Sequence, residues 1–239
     1  MSLGIMQPYF FPYTGYFALI YKTDQWVVFD SSQYTPKSWI NRNRILSPAK
    51  EWEYINVPLS NSSQSVRISE VKIKDVEATK LNILGKLNHF RKKAPYVDEV
   101  INIVNSTFDS LNSESLTQLN ILGLKNVCEY LGIEFKFILS SSLDINMRNI
   151  IHPGSWALEI CVLMDAMEYV NPIGGKHLFK IDEFKDKNIK LSFLELVPLV
   201  YQPGRFKYVE NLSILDVLMW NSVSEVISHL NSAKVESAY

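Results

Sequence analysis

The sequence predicts an α/β protein with a parallel or mixed sheet, flanking helices and a helical insertion. Near the N-terminus, an apolar segment at residues 4–7 and a proline-rich turn precede a helix-like stretch at residues 16–21. The β-branched and aromatic segment at residues 25–29 follows and has the composition of a buried strand. Apolar residues then recur three and four apart over residues 76–131, which is helical spacing. Strand-like and helix-like segments alternate again toward the C-terminus.

The N-terminal segments set the expected topology. The order strand, tight turn, helix, strand favours a parallel βαβ unit in a Rossmann-like or nucleotidyltransferase-like layout. The nucleotidyltransferase loop carries a His-x-Gly-His pattern, whereas the corresponding stretch here is Thr14-Gly15-Tyr16. Because this stretch has no histidine, the sequence argues against adenylyl transfer.

The remaining elements follow from local patterns. Residues 30–44 are predicted as a loop, and residues 54–59 and 66–73 alternate like two strands that pair with each other. Pro95 and Ser113 divide the helical region into three helices, and Gly132 ends the third. We expect one domain over residues 1–239, with a helical subdomain at about residues 76–131. Further strands are predicted at residues 134–139, 169–170 and 190–196, and further helices at residues 153–164, at 214–220 and after Ser222, where Glu225 completes a capping box.

Composition excludes several classes of protein. The formal net charge of −1 gives no global field that would hold nucleic acid or an anionic membrane. No run of about 20 apolar residues is present, so no membrane span is predicted. The N-terminal apolar stretch is broken by Pro8, Pro12 and Gly15, so we predict no signal peptide and expect a cytoplasmic location. Cys128 and Cys161 lack CxxC spacing and are predicted to be buried free thiols.

The densest candidate binding segment is residues 7–16, QPYFFPYTGY, which holds five aromatic residues and two prolines. The rings of Tyr9, Tyr13 and Tyr16 suit a sugar or a nucleoside, and Gln7 adds an amide. The segment follows the first strand and precedes the first helix. It is therefore expected at the carboxyl end of a parallel sheet, where α/β proteins bind ligands. A well-packed loop is the alternative interpretation.

A second candidate segment, residues 30–44, is rich in hydrogen-bond donors. Asp30 ends a buried strand, where its carboxylate could face a substrate hydroxyl or amine. Two asparagines share one face of an extended stretch and two arginines share the other. Arginine matches the planar geometry of phosphate or carboxylate, although a solvated loop is the alternative. The substrate-binding candidates in this segment are Gln33, Tyr34, Asn41, Arg42, Asn43 and Arg44.

The third candidate segment is residues 169–178, YVNPIGGKHL. Gly174 and Gly175 leave backbone amides open to close approach of a ligand. Asn171 precedes them and Lys176 follows, and all four are substrate-binding candidates. The spacing is not that of a Walker A loop, and a plain turn explains a double glycine about as well.

Histidine spacing bears on the chemistry. No two of the four histidines form a His-x-x-x-His pair, so no metal site is predicted. His152 at a helix start and His177 after the glycines could act as general bases if they face the crevice. A fourth segment, residues 211–221, contains Ser213 as a helix cap and Asp216 on the first turn, both with structural explanations.

Joined together, four segments resemble the WbqC-like family from Gly4 to about Leu230. The resemblance implies a bacterial protein that works in the biosynthesis of O-antigen lipopolysaccharide or another surface polysaccharide. It also implies a transferase or ligase that adds a glycyl, other aminoacyl or acyl group to an amino sugar. The segments are QPYFFPYTGYFALI, VVFDSSQYTPKSWINRNRI, YVNPIGGKHLF and NLSILDVLMWNS.

The leading hypothesis is a transferase that acylates the amine of a nucleotide-linked sugar. Such a reaction needs a base near the nitrogen and donors near the developing oxyanion. Asp30, His152 or His177 is the predicted base. The donors would be Asn41, Asn43 and the amides of Gly174 and Gly175, with Arg42 or Arg44 on the phosphates and the three tyrosines stacked on the sugar or base.

Two alternatives remain open at this point. One is a non-catalytic protein of the same pathway that binds a glycan or a sugar nucleotide. The other, a glycosyltransferase, lacks an Asp-x-Asp metal motif. Activation of an amino acid within this protein would require ATP and magnesium, and the sequence leaves that open. Each mechanism requires the proline-tyrosine turn, residues 7–16, and the asparagine-arginine stretch, residues 30–44, to line a single pocket.

Overall fold

A computed structural model describes residues 1–239 and confirms the α/β prediction. Six strands form one sheet, a two-stranded hairpin stands apart from it, and helices flank the sheet. The strands are β1 Ser2–Met6, β2 Gln25–Val28, β3 Arg42–Leu46, β4 Trp52–Asn56, β5 Phe137–Leu139, β6 Glu168–Pro172, β7 Lys190–Glu195 and β8 Lys234–Ser237. The helices are α1 Thr14–Tyr21, α2 Val76–Asn88, α3 Val97–Asp109, α4 Leu116–Leu131, α5 Ser155–Leu163, α6 Ile181–Asp186, α7 Ile214–Trp220 and α8 Val223–Asn231.

The sheet has the strand order β5-β2-β1-β6-β7-β8. Neighbouring strands are parallel except for β7 and β8, which are antiparallel. The chain begins in the middle of the sheet and proceeds to one side through β2 and β5. It then returns to the other side of β1 with β6 and β7. The strand order therefore reverses between β1 and β6, as in Rossmann-like layouts.

Alternation along the strands divides the core into two parts. Leu3 and Ile5 of β1 point into a smaller cluster with α5 and α6, whereas Trp26 and Val28 of β2 belong to a larger one. The larger cluster also contains α1, α7, α8 and the buried faces of the three helices over residues 76–131. Both faces of the sheet are therefore covered, as a parallel sheet requires.

The three helices of the predicted insertion are present. Asp75 caps α2 by accepting a hydrogen bond from the Ala78 N–H. Helix α4 begins at Leu116, three residues after Ser113, because the Ser115 side chain caps it by accepting from the Gln118 N–H. Gly132 ends α4 with a φ of 70°, a left-handed conformation that glycine adopts without strain.

The structure corrects the predicted hairpin. Strand β4 pairs with β3, and residues 66–73 form no strand. The predicted pairing with residues 54–59 is limited to an isolated antiparallel bridge between Leu59 and Ile73. The alternating apolar side chains of residues 66–73 instead surround a single 3-10 turn, Ile68–Glu70, in which the Arg67 N–H donates to the Glu70 carboxylate and the Glu70 N–H donates to the Arg67 carbonyl, both at 3.0 Å. The prediction of a loop over residues 30–44 was also wrong for its last three residues, because β3 begins at Arg42. The sequence interpretation missed α6 and β8, which are short and largely exposed on the sheet margin.

Two smaller predictions are confirmed. Cys128 and Cys161 are buried free thiols, and burial raises the pKa of each to about 12. Serine capping of the last two helices is also present, with Ser213 before α7 and a Ser222–Glu225 capping box before α8. No helix combines the length and the apolar character needed to cross a bilayer.

Candidate functional site

A crevice of about 560 Å³ opens at the carboxyl ends of β1, β2 and β6. This is the point where the strand order reverses, and open α/β sheets bind ligands at such switch points. We call it the main crevice. Its aromatic residues are Tyr9, Tyr13, Phe29, Trp39, Trp156, Tyr169 and Phe179, and its polar and glycine residues are Gln7, Asn171, Gly174 and Gly175.

A second volume of about 250 Å³ adjoins the main crevice. Tyr9, Tyr13 and Trp39 line both volumes, so they form the boundary between them. We call it the arginine compartment, because Arg44 supplies its only charged side chain. Asn43, Pro12 and Asn211 complete its lining. The proline-tyrosine turn and the asparagine-arginine stretch therefore meet at one pocket.

Buried donors from two helices hold the start of the proline-tyrosine turn. The Tyr16 hydroxyl of α1 donates to the Gln7 carbonyl at 2.8 Å. The Asn120 amide of α4 donates to the Pro8 carbonyl at 2.7 Å and to the Ile40 carbonyl at 2.8 Å. Tyr16 and Asn120 are fully buried, so these side chains position backbone and do not face the crevice.

Donors from β3 and α7 hold the second half of the turn. The buried Asn43 amide donates to the carbonyls of Phe10 and Phe11, at 3.1 and 2.8 Å. The Ser213 hydroxyl also donates to the Phe11 carbonyl, at 2.7 Å. The Ile214 N–H donates to the Pro12 carbonyl at 2.8 Å. Asn43 thus lines the arginine compartment while its amide protons are used within the protein.

Phe11 adopts a φ of 39°, a conformation that side-chain-bearing residues rarely adopt. Its buried ring packs against α4 at Gly123, where a Cβ atom would lie 3.2 Å from the ring. The two hydrogen bonds to its carbonyl hold the peptide in this orientation. Backbone strain of this kind persists only where surrounding contacts over-determine it, and it concentrates at functional sites.

Tyr9 and Tyr13 occupy the crevice, as the sequence predicts for ring-stacking residues. Burial raises the pKa of both, with Tyr13 adding to the effect on Tyr9, so their hydroxyls remain protonated donors at neutral pH. Gln7 also lines the crevice, where its amide donates to the Ser32 hydroxyl at 3.0 Å. Gly15 is required beneath the Tyr13 ring, because a Cβ atom there would lie 2.4 Å from it.

The asparagine-arginine stretch separates into bracing and lining residues. Tyr34 is buried and donates to the Asn41 side-chain oxygen at 2.9 Å, while the Asn41 amide donates to the Val57 carbonyl at 3.0 Å. Gln33 is exposed, and its backbone forms an isolated antiparallel β-bridge with Arg67. These three predicted binding residues do not line the crevice or the arginine compartment.

The two arginines lie in different surroundings. Arg44 lines the arginine compartment, with its guanidinium over the rings of Trp39 and Trp52 at 5.5 and 5.2 Å. Arg42 stacks on the ring of Tyr54 at 4.5 Å and donates to the Lys37 carbonyl. Only Arg44 therefore lines either volume.

Asp30 is 1% exposed and its carboxylate faces the segment after β5. It accepts hydrogen bonds from the Ser140 hydroxyl at 3.0 Å and from the Ser141 N–H and hydroxyl at 2.9 and 2.7 Å. A carboxylate held by three such donors braces β2 against the β5 connection. The structure places it apart from the residues that line the crevice.

His152 lies next to the crevice residue Pro153 but is itself engaged on both ring nitrogens. Nδ1 accepts from the Gly154 N–H at 3.1 Å, and Nε2 lies 2.7 Å from the Glu183 carboxylate. Burial acts to raise the pKa of Glu183, but hydrogen bonds from His152 and Lys180 outweigh it and hold the pKa below its usual value. The pair therefore ties the start of α5 to α6.

The glycine-rich segment Ile173–Leu178 forms the opposite margin of the crevice. Gly174 and Gly175 line it, whereas Lys176 and His177 are exposed beside it. Gly175 is required, since a Cβ atom there would lie 2.2 Å from the Asn171 amide nitrogen. Asn171 is buried and accepts from the Tyr169 hydroxyl at 2.8 Å, so its side chain is mostly used in positioning this segment.

Several lining residues were missed by sequence reasoning. Phe29 directly follows β2. Trp156 lies shortly after the loop residue Pro153, and Phe179 lies shortly after the double glycine. The position of Phe29 after a buried strand was a usable signal, because side chains there meet the ligand crevice. Asn211 has no such signal; its place depends on how the fourth segment folds back onto the turn.

Neither volume is lined by a carboxylate, histidine, lysine or cysteine side chain. The chain contains no group of three His, Cys, Asp or Glu side chains arranged to hold a metal ion. The crevice thus offers aromatic faces, neutral hydrogen-bond donors and a single cation.

Comparison with known proteins identifies the family of this chain. A model of the WbqC-like protein family matches residues 7–228. An uncharacterized protein of Mycobacterium tuberculosis is 25% identical over 195 residues, which cover 81% of this chain and 82% of that protein. No solved structure matches the chain significantly.

Proposed function

The chain belongs to the WbqC-like protein family, and from that premise we propose that it acts in the biosynthesis of a bacterial surface polysaccharide such as O-antigen. Its reaction would transfer an aminoacyl group, glycyl included, or another acyl group to the amine of a nucleotide-linked amino sugar. This activity would take place in the cytoplasm, where sugar nucleotides are made available. Residues 1–239 would act as one domain, since helices of residues 76–131 share a core with α1 and α7.

One observation carries this proposal: an aromatic crevice lies at the switch point of a parallel sheet and joins a compartment with one arginine. Volumes of about 560 and 250 Å³ suit a ligand with two parts. Aromatic rings stack on the apolar faces of sugars and bases, and protonated tyrosine hydroxyls donate to sugar oxygens. Tyr9, Tyr13 and Trp39, at the boundary, would contact both parts.

The chemistry is a nucleophilic acyl substitution. The amine nitrogen attacks the carbonyl carbon of an activated acyl donor, the C–N bond forms, and the bond to the leaving group breaks. A base accepts the amine proton, and donors stabilise the oxyanion in the tetrahedral intermediate. The backbone amides of Gly174 and Gly175 would serve as such donors, a role supported by the position of both residues in the lining of the crevice.

Among the three predicted bases, His177 fits this role best. Asp30 and His152 are engaged in internal hydrogen bonds, whereas His177 is exposed on the segment whose neighbours Gly175 and Leu178 line the crevice. The donor would arrive already activated, or ATP with magnesium would activate it here. Reactions run with and without ATP distinguish these two routes.

A second candidate function is non-catalytic binding of a sugar nucleotide or glycan in the same pathway. The observation that favours it is the absence of any carboxylate, histidine, lysine or cysteine among the lining residues. A binding protein needs the aromatic faces and the donors but no base. The two functions therefore predict the same ligand and differ in turnover.

The deciding experiment incubates the protein with a panel of nucleotide-linked amino sugars. Each reaction contains glycine or another amino acid with ATP and magnesium, or an acyl thioester, and products are read by mass spectrometry. An added mass equal to the aminoacyl or acyl group, less the one amine hydrogen that it replaces, supports the transferase. Binding without product across the panel supports the binding protein, and neither binding nor product contradicts both functions.

A histidine pair provides the matched control. His177→Gln is expected to lower the rate by about 100-fold or more if this imidazole is the base, with little effect on ligand affinity. His89→Gln, at an exposed histidine after α2, is expected to leave the rate unchanged. Equal rates in the two variants would exclude His177 from proton transfer.

A further inference from the structure

Arg44 carries a positive charge that no group in the protein neutralises. It takes part in none of the ion pairs of the structure. Its neighbour Glu210 contributes only a backbone carbonyl, at 3.5 Å from Nη2. The Asn211 carbonyl lies at the same distance, which is long for a hydrogen bond. The guanidinium thus retains most of its hydrogen-bonding capacity.

Two indole rings hold the guanidinium in place. Trp39 and Trp52 lie 5.5 and 5.2 Å from it, a cation–π arrangement that orients the plane without using its N–H groups. The Nε atom is buried and has no hydrogen-bond partner in the structure. A buried donor without a partner is costly, so a ligand atom that reached this group would be favoured.

The rest of the arginine compartment adds neutral donors. Tyr9 and Tyr13 line it, and their hydroxyls make no hydrogen bond within the chain. The side-chain amide of the exposed Asn211 is similarly uncommitted. One cation, several neutral donors and no carboxylate around about 250 Å³ match a group with many acceptor oxygens and negative charge.

Arg42 offers a contrast two residues away on the same strand. Its guanidinium lies over Tyr54 and donates to the Lys37 carbonyl, and it lines neither volume. The two arginines are therefore alike in charge, in cation–π stacking and in a buried Nε without a hydrogen-bond partner, but only Arg44 lines the compartment. This makes Arg42 a matched internal control.

We infer that the arginine compartment binds the phosphate groups of the ligand, with Arg44 as the residue that recognises them. Arg44 presents its fork to two phosphate oxygens, and Tyr9, Tyr13 and Asn211 donate to others. The inference rests on the proposed function in one respect, that the attached sugar lies in the main crevice. Phosphate could come from the sugar nucleotide or from ATP, and the chemistry of the subsite is the same for both.

Phosphate binding is measured without turnover. Intrinsic fluorescence is followed during titration with pyrophosphate, uridine diphosphate and malonate at fixed ionic strength, since Trp39 and Trp52 flank Arg44. Saturable binding of the two diphosphates, tighter than that of malonate, is expected. Preference for malonate, or no saturation by either diphosphate, would overturn the inference.

Substitution assigns the binding to one arginine. Arg44→Gln is expected to weaken diphosphate binding by about 10- to 100-fold, and Arg44→Lys by less, since lysine retains the charge but not the fork. Arg42→Gln is expected to change it by less than about twofold. Equal losses in Arg42→Gln and Arg44→Gln would contradict the assignment. Thermal unfolding checks whether each variant is folded. If Arg44→Gln does not fold, Arg44→Lys tests the site in its place.

The source of the phosphate is read by comparing a nucleotide-linked amino sugar with ATP in the same titration. Tighter binding of the sugar nucleotide places its diphosphate in the compartment, and tighter binding of ATP places an activating nucleotide there. Either result supports a phosphate subsite. If the unmodified protein binds diphosphate but gives no acyl-transfer product, the proposed transferase is contradicted and this inference still stands.

Discussion

Two segments line the crevice and differ in how their backbones are held. Within residues 7–12 of the proline-tyrosine turn, five carbonyls accept hydrogen bonds from α1, α4, β3 and α7. In the segment Ile173–Leu178, the apolar ends Ile173 and Leu178 are 45% and 40% exposed, and Lys176 and His177 between them are exposed as well. Many buried contacts fix the first segment, and few fix the second.

The difference separates two tasks within one site. A turn that is over-determined by buried donors presents its rings in one orientation, which suits recognition of a rigid ligand. A segment with few buried contacts belongs to the least stable part of a fold and can adjust as a ligand binds. We therefore assign recognition to the turn and adjustment around the reacting group to the glycine-rich segment. The three predictions below test this division, starting from the largest effect.

The first prediction removes the main brace of the turn. Asn43→Ala leaves the buried Phe10 carbonyl without its side-chain donor and removes one of the two donors to the Phe11 carbonyl, which keeps Ser213, so the free energy of unfolding should fall by about 3 kcal/mol. Urea unfolding measures it. Asn82→Ala, at an exposed position of α2, is the control and should change stability by less than about 0.5 kcal/mol. A loss near the control value would mean that Asn43 is not essential to the turn.

The second prediction concerns the buried carboxylate behind the turn. Asp216 accepts from the Leu46 N–H at 2.7 Å and the Tyr201 hydroxyl at 2.9 Å, and burial raises its pKa to about 6. In the unfolded chain the pKa of this carboxyl is about 3.9. Its contribution to the free energy of unfolding is therefore fully present below about pH 3.9 and is lost as the pH rises through about 6. The difference amounts to about 3 kcal/mol.

Asp216→Asn should remove this pH dependence. An amide can still accept from Leu46 and donate to the Tyr201 oxygen, so the fold is retained. Relative to wild type, the variant should gain stability between pH 4.5 and 7.5, measured by unfolding at both values. Asp186→Asn, at an exposed carboxylate, should follow the wild-type curve. Parallel curves for wild type and Asp216→Asn would show that the carboxyl does not titrate in this range.

The third prediction addresses the glycine-rich segment. Gly175→Ala places a Cβ atom against the buried Asn171 amide, whereas Gly174→Ala meets nothing within 4 Å. Gly175→Ala should therefore displace Asn171 and cost about 1–2 kcal/mol of stability or ligand affinity, and Gly174→Ala should cost less. Unfolding and fluorescence titration of both variants measure these effects. Equal behaviour of the two would show that Asn171 yields freely to the added methyl group.

Sequence patterns predicted the sheet well because buried parallel strands have a strong composition signal. QWVVF at residues 25–29 could hardly be placed elsewhere than in a core. Alternation over residues 66–73 misled, since the same spacing arises when a 3-10 turn buries Ile68, Val71 and Ile73. Local periodicity cannot separate a strand from a turn that is buried by its neighbours.

For the site, the sequence located the segments but not the direction of each side chain. Polar residues in a ligand-binding segment face either the ligand or the backbone that they brace, and their composition is the same in both cases. Asp30, Asn41 and Tyr16 brace backbone, while Tyr9, Tyr13 and Arg44 line the pocket. The deciding contacts come from residues far along the chain, such as Ser140 and Asn120, which local patterns do not connect.

The bonds from Ser213 and Ile214 to the proline-tyrosine turn join the two ends of the chain. They link residues about 200 positions apart, so the turn reaches its final shape only after α7 has been synthesised. A nascent chain in which α7 has not yet left the ribosome lacks the hydrogen bond from Ser213 to the Phe11 carbonyl. Ligand binding should thus mature late in translation, and a ribosome-stalled chain lacking α7 should be unable to retain the sugar nucleotide.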